Sequence, residues 1–199
     1  MEFEKSMADT YLRKVLEERH WILASERVDN SPIYENSHRK KSANQVGFLG
    51  EVVIEEFFRE NGVNFSDERE KTTHDYLING NITLDVKTKD RTVRLKKDYD
   101  NSVPLYNHSH QRPDYYYFIS LLRNRSDNSE CIRRFTEAYL VGGIDLETLE
   151  RIGKHWKKGE IDTRNGTEFW TDCINVSMEQ LINNRDMIEI FTSKIRKNN

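Results

Sequence analysis

Four side chains in the first half of the chain have the types and spacing to hold a divalent cation beside a water: Glu51, Asp75, Asp85 and Lys87. The last two say most. On a strand, residues i and i+2 point to one face. In Ile82-Thr83-Leu84-Asp85-Val86-Lys87-Thr88, Ile82, Leu84 and Val86 therefore line an apolar side, and Asp85 and Lys87 stand with Thr83 on the other. A carboxylate next to an ammonium on a buried strand can bind a metal and position a water, which is what phosphodiester hydrolysis requires.

Two elements must bring the other acids to that strand. Thr73 to Ile78 and Ile82 to Thr88 read as a hairpin around Asn79-Gly80-Asn81. A two-residue Asn79-Gly80 turn sets Asp75 opposite Leu84, on the apolar face. A three-residue loop with a left-handed residue sets it opposite Asp85, and also aligns Tyr76 with Leu84 and Ile78 with Ile82. The second register satisfies packing and chemistry together.

Upstream, Ser42 and Gln45 form a capping box opening a helix that runs to about Glu60 and stops at Asn61-Gly62. On it Val46, Gly47, Gly50, Val53, Ile54, Phe57 and Phe58 share a broad arc. Glu51 lies at its rim, about 20° beyond Phe58, and Glu55 about 40° further towards solvent. Gly47 and Gly50 would let the helix approach the sheet closely.

This layout resembles the PD-(D/E)xK nuclease superfamily. The resemblance is carried by Glu51 on the preceding helix, Asp75 in His74-Asp75-Tyr76, and Asp85-Val86-Lys87, over roughly residues 43 to 122. In the family the first acid usually follows a proline; here it follows His74. The resemblance implies a restriction-endonuclease-like α/β core, with a central mixed β-sheet flanked by helices and an N-terminal helical extension. It implies Mg²⁺, with Mn²⁺ able to substitute, held by Asp75, Asp85, the Val86 carbonyl and Glu51 through a water. Lys87 would hydrogen-bond the attacking water and stabilise charge at phosphorus, its pKa lowered by the metal and a desolvated surface. Gln111, four residues before Tyr115, is similar to the Q-x-x-x-Y element of some exonuclease-like members, although Pro113 interrupts any helix there.

Each feature also has a plainer reading. Asp85 and Lys87 can be a surface ion pair on a half-exposed strand, and Glu51 a boundary acid paired with a lysine. The basic run Lys87, Lys89, Arg91, Arg94, Lys96 and Lys97 can be a solvated surface; its adjacency to the acidic strand argues for phosphate contact by Lys89, Arg91 and Arg94. Arg39-Lys40-Lys41 precede the acidic helix. His108-Ser109-His110 lack the further ligands a zinc site needs. His74 could brace Asp75. Trp156 and Trp170, near Lys154, Lys157, Lys158 and Arg164, could meet nucleic acid or form a satellite core.

At 199 residues the chain suits a single domain: residues 1–41 a helical extension and loop, 42–122 the catalytic core, 123–199 the remaining strands and helices. Hydrophobic residues make up 36% and charged residues 33%, and the net charge of −3 supplies no global basic field. Metals would neutralise the acids locally. No apolar run reaches the length of a membrane span, the first residues lack the order of a signal peptide, and Cys131 and Cys173 form neither a disulfide framework nor a zinc site. The expected setting is a reducing cytoplasm.

Along the rest, residues 8 to about 28 read as a helix, and the polar stretch to Lys41 as a loop. Tyr115 to Leu121 reads as a central strand. Ala138 to Val141 is another, closed by Gly142-Gly143. Asp145 to about Gly153 looks helical, residues 159 to 172 resist placement, and Ser177 with Gln180 is a second capping box.

The function expected is metal-dependent nuclease activity, with DNA favoured over RNA and a homodimer compatible. One alternative is a non-catalytic nucleic-acid-binding or assembly module on a degenerate nuclease fold. Another is an unrelated α/β protein acting through protein partners.

Overall fold

Alternation is visible in the strand Ile82–Arg91: Leu84 is fully buried on one side and Asp85 on the other, so both faces of this strand are covered. A computed structural model of the chain describes residues 4–5, 11–30, 40–106 and 108–193. Its strands are β1 (Glu4–Lys5), β2 (Leu12–Val15), β3 (Phe65–Asp67), β4 (Tyr76–Ile78), β5 (Ile82–Arg91), β6 (Asp100–Pro104), β7 (Tyr115–Arg123), β8 (Phe135–Asp145), β9 (Lys154–Trp156), β10 (Ile161–Asp162), β11 (Thr167–Glu168) and β12 (Cys173–Ser177). The helices are α1 (Glu18–Asn30), α2 (Lys40–Glu60), α3 (Leu146–Ile152) and α4 (Asn184–Thr192).

Seven strands form a mixed sheet in the order β1-β2-β8-β7-β5-β4-β3, in which β5 and β7 are the parallel pair. A three-stranded antiparallel sheet, β6-β12-β9, lies on one side, and β10 pairs with β11 in a small hairpin. Two cores result. Leu49, Val53, Phe57 and Phe58 of α2 pack with Leu84, Val86, Tyr117, Ile119, Met187 and Phe191 on one face of the large sheet. Tyr116, Phe118, Tyr139 and Val141 pack with Val103, Ile174 and Val176 on the other. The architecture is mixed α/β with helices flanking the sheet. No described helix is long and apolar enough to cross a membrane.

The hairpin adopts the three-residue loop. Tyr76 pairs with Leu84 and Ile78 with Ile82, with Asn79 and Gly80 both at positive φ. The helix before it ends at Glu60, followed by Gly62 at φ 67°. Gly50 has the role its position suggests: a Cβ there would stand 2.0 Å from Thr88 Oγ1, so α2 lies almost on β5. At Gly47 a Cβ would meet nothing within 4 Å, and no close approach depends on it.

Several expectations are corrected. Residues 12–15, read as helix, form β2, pairing with the outer edge of β8. An unpaired β8 edge would leave its N–H and C=O groups without partners, and this tertiary demand outweighs a rough helical stripe. The helix begins only at Glu18. Helix α2 already includes Lys40, so Ser42 does not open it. Arg39 and the side chains of Lys40, Lys41 and Ser42 lie outside the described residues, as does most of the expected loop. Strand β4 is shorter than Thr73 to Ile78, whereas β5 extends past Thr88. Strand β8 does not stop at Gly142-Gly143 but runs through them to Asp145. There Ile182 pairs with Gly143 as an isolated antiparallel bridge, exchanging two hydrogen bonds, and a Cβ on Gly142 (φ 128°) would stand 2.3 Å from Ile182 O. The expected helix after Asp145 forms as α3, with the Asp145 side chain capping Thr148 N–H. Ser177 and Gln180 do form a capping box, on a single 3₁₀ turn rather than an α-helix.

Candidate active site

Asp85 and Lys87 project from β5 on the face opposite α2. Lys87 Nζ lies 2.7 Å from Asp85 Oδ1. The surface-pair reading fails here, because Asp85 is only 1% exposed. Its second oxygen, Oδ2, is buried and has no hydrogen-bond partner among the described residues. Buried carboxylate oxygens are rarely left in this condition, and one that is points to a ligand, ion or water. Beneath the Lys87 ammonium lies the Tyr116 ring, 5.9 Å from its centroid.

Asp75 sits where β4 and β5 part. Ladder pairing of the two strands ends at Tyr76 and Leu84, and the Asp75 side chain continues it: Oδ2 accepts the Val86 N–H at 2.7 Å. The N–H and C=O of one strand residue point to the same side, so the Val86 carbonyl also faces the Asp75 edge. Asp75 and Asp85 are thus neighbours in charge. Burial first, then the charges of Asp85 and Glu51, push the Asp75 carboxyl well above its ordinary range. Burial acts to lower the Lys87 pKa, but Asp85 and Asp75 more than offset it and hold the ammonium above its usual value. The lowered lysine pKa expected from sequence is therefore not found in this environment.

Glu51 is buried on α2 and belongs to the same electrostatic group, but its partners are cations. Arg69 Nη1 donates to Glu51 Oε2, and Arg27 Nη1 lies 3.8 Å from the same oxygen. Burial pushes the Glu51 carboxyl upward, with Arg69 and Arg27 opposing it. The plain reading of Glu51 named a lysine partner; the partners are arginines distant in sequence. Glu55, placed towards solvent by the helical wheel, is in fact buried, accepting from Arg27, Arg59 and Tyr76 Oη, each at 2.8 Å. Burial acts to raise its pKa, and these partners hold it below the ordinary range.

Among the described residues, no three His, Cys, Asp or Glu side chains stand together as a ready-made metal cage. Asp75, Asp85 and the Val86 edge converge, while Glu51 is turned into its arginine pairs. Magnesium commonly keeps several waters and needs only one or two carboxylates, so the donor set suits that cation. The partnerless Asp85 oxygen is the specific point of fit.

The basic run only partly faces this site. Lys89 Nζ and Arg91 Nη2 both donate to the Asp100 carbonyl, at 3.2 and 2.9 Å, and Arg91 Nε to Ser120 Oγ at 2.9 Å. These residues hold β6 against β5, a structural use invisible in the run itself. Arg94 is exposed. Gln111 lies in irregular chain, where its carbonyl accepts the Tyr116 hydroxyl at 3.4 Å; no helix carries it. His74 is buried, bonded to Glu68 at 2.8 Å rather than to Asp75. His108 bonds Glu150 and Arg112. Trp156 stacks on Phe169 in a satellite core, and Trp170 is half-exposed beside Tyr106.

Sequence reasoning missed Arg69 and Arg27. Arg69 lies six residues before Asp75 in a polar stretch, and only the fold of that loop turns it back to α2. No protein-family model matches the chain, and no curated protein matches it.

Proposed function

We propose that the chain is a metal-dependent nuclease with a restriction-endonuclease-like core, formed by α2, the β3-β4-β5 meander and β7 parallel to β5. DNA is the favoured substrate over RNA. The reading is carried by one observation: Asp75, Asp85 and Lys87 converge where β4 and β5 part, with a buried Asp85 oxygen that has no partner.

Asp75, Asp85 and the Val86 carbonyl would hold Mg²⁺ or Mn²⁺, with Glu51 contributing through a water. Such a cation supplies Lewis acidity and an acidified water at neutral pH. Lys87, kept protonated by the two aspartates, acts as a hydrogen-bond donor to the scissile phosphate and stabilises the charge that develops there. In this protonation state it orients the attacking water but does not deprotonate it. Asp75 fixes the strand edge through Val86 N–H, so the carbonyl and both carboxylates stay in register. Tyr116 closes the floor under the ammonium and excludes water from that side.

The pairing of Glu51 with Arg69 and Arg27 favours a second reading, a non-catalytic nucleic-acid-binding or assembly module on the same fold. Titration calorimetry with Mg²⁺ and Mn²⁺, followed by cleavage of plasmid, linear duplex, single-stranded DNA and RNA, separates the two. The nuclease reading expects binding of a divalent ion and cleavage of at least one substrate. Binding of nucleic acid without metal uptake or cleavage would establish the second.

A further inference from the structure

The loop between β3 and β4 carries Arg69 and Asp75 together. It is closed by Glu68 N–H donating to Asp75 O at 2.9 Å, and by Glu68 Oε2 meeting His74 at 2.8 Å and Lys71 at 2.6 Å. The backbone of Arg69 is therefore placed beside the acids. The guanidinium spans two carboxylates. Nε donates to Asp67 Oδ1 at 2.8 Å and Nη2 to Asp67 Oδ2, while Nη1 takes Glu51 Oε2. The two carboxylates differ: the Asp67 side chain is 48% exposed, and that of Glu51 only 11%. Arg69 also lies over the Phe48 ring, 5.7 Å from its centroid.

Around Glu51, Asp75 and Asp85 stand three cations, Lys87, Arg69 and Arg27, and Arg27 and Arg69 are shared with the further carboxylates Glu55 and Asp67. A divalent ion drawn to the aspartates meets these cations, and to engage Glu51 it must compete with the guanidinium bonded there, that of Arg69. Lys87 is tied to Asp85 at 2.7 Å, and Arg27 is anchored on Glu55 at 2.8 Å. Arg69 alone has a second, solvent-facing carboxylate on which to remain.

From this we infer that Arg69 is an exchangeable counter-ion that competes with a divalent cation for Glu51. It holds Glu51 out of the metal's reach until the cation displaces it onto Asp67. The inference rests on the nuclease reading of the site. Its consequence is a site that loads metal weakly, with the arginine acting as an autoinhibitory contact.

The test is Mn²⁺ affinity by titration calorimetry on the full chain, in wild type, Arg69→Gln, Glu51→Gln, the double variant and Asp85→Asn. Arg69→Gln should bind Mn²⁺ roughly tenfold more tightly, the scale of one charged hydrogen bond removed from competition. The gain should vanish when Glu51→Gln is also present. Unchanged or weaker affinity in Arg69→Gln, with Asp85→Asn still abolishing binding, overturns the inference and leaves the nuclease reading standing. Absence of Mn²⁺ binding in both wild type and Arg69→Gln overturns both. A second measurement needs no variant of Arg69: in wild type, Mg²⁺ should shift the Arg69 Nη1–H resonance, the group that leaves Glu51. An unmoved resonance while Mg²⁺ binds refutes the exchange even if Arg69→Gln fails to fold.

Discussion

Asp85 shares one carboxylate oxygen with the Lys87 ammonium at 2.7 Å and buries the other without a partner among the described residues. The pair is thus more than a strand-surface ion pair. Lys87 is the cation that makes a buried carboxylate tolerable, and the remaining oxygen is where a ligand gains most.

Lys87→Ala separates these roles. Breaking a fully buried pair costs roughly 3–5 kcal/mol; with the Lys87 side chain 24% exposed, a loss of about 2 kcal/mol is expected in urea unfolding. Metal affinity should stay the same or rise slightly, because a neighbouring positive charge is gone. Cleavage should fall by roughly two or more orders of magnitude. Wild-type cleavage rates in this variant on every accepted substrate would remove the Asp-x-Lys reading.

Asp85→Asn should lose both metal binding and cleavage, since it removes the charge that faces the cation. Calorimetry with Mn²⁺ is the direct check. Retained affinity at the wild-type level would move the metal away from β5.

Asp75 contributes to the pH dependence of stability. Its folded pKa is raised, so its ionisation opposes folding: no penalty is felt below its ordinary value near 3.8, and the penalty grows as pH rises through the folded pKa. Asp75→Asn keeps an oxygen for Val86 N–H and carries no charge. Denaturation measured without added metal should find it as stable as wild type near pH 4 and more stable at pH 7. A variant less stable at pH 7 than at pH 4, relative to wild type, contradicts this assignment.

Glu51→Gln should leave folding intact, because burial already disfavours the charged form and no apolar volume is lost. Metal affinity and cleavage should both weaken. Full activity in the variant would take Glu51 out of the site without touching Asp75, Asp85 or Lys87.

Gly50→Ala should destabilise the chain by about 1–3 kcal/mol, the range for overpacking a close contact. The new Cβ would stand 2.0 Å from Thr88 Oγ1 and force α2 off β5. Thermal denaturation reads this directly. The Gly47→Ala substitution, with open space at that point, should be neutral or stabilising.

The hairpin and its acids were legible in the sequence because period-2 alternation is local. Ile82, Leu84 and Val86 demand one face, and only a three-residue loop then sets Tyr76 and Ile78 on the same core, with Asp75 just beyond the last paired residues. The end of α2 at Asn61-Gly62 and the helix from about Asp145 were readable for the same reason, since each is settled within a few residues. What the tertiary structure alone decided depends on distant partners. Leu12–Val15 became a strand because β8 offered an edge, and Lys14 is buried in it beside Glu56 and Glu60 of α2, at 2.9 and 3.8 Å. Glu55 is interior because Arg27, Arg59 and Tyr76 converge on it, and Glu51 faces Arg69 because a loop folds back. Periodicity reports which side of an element is apolar; which charge meets which across the fold is set by the packing of elements far apart in the chain.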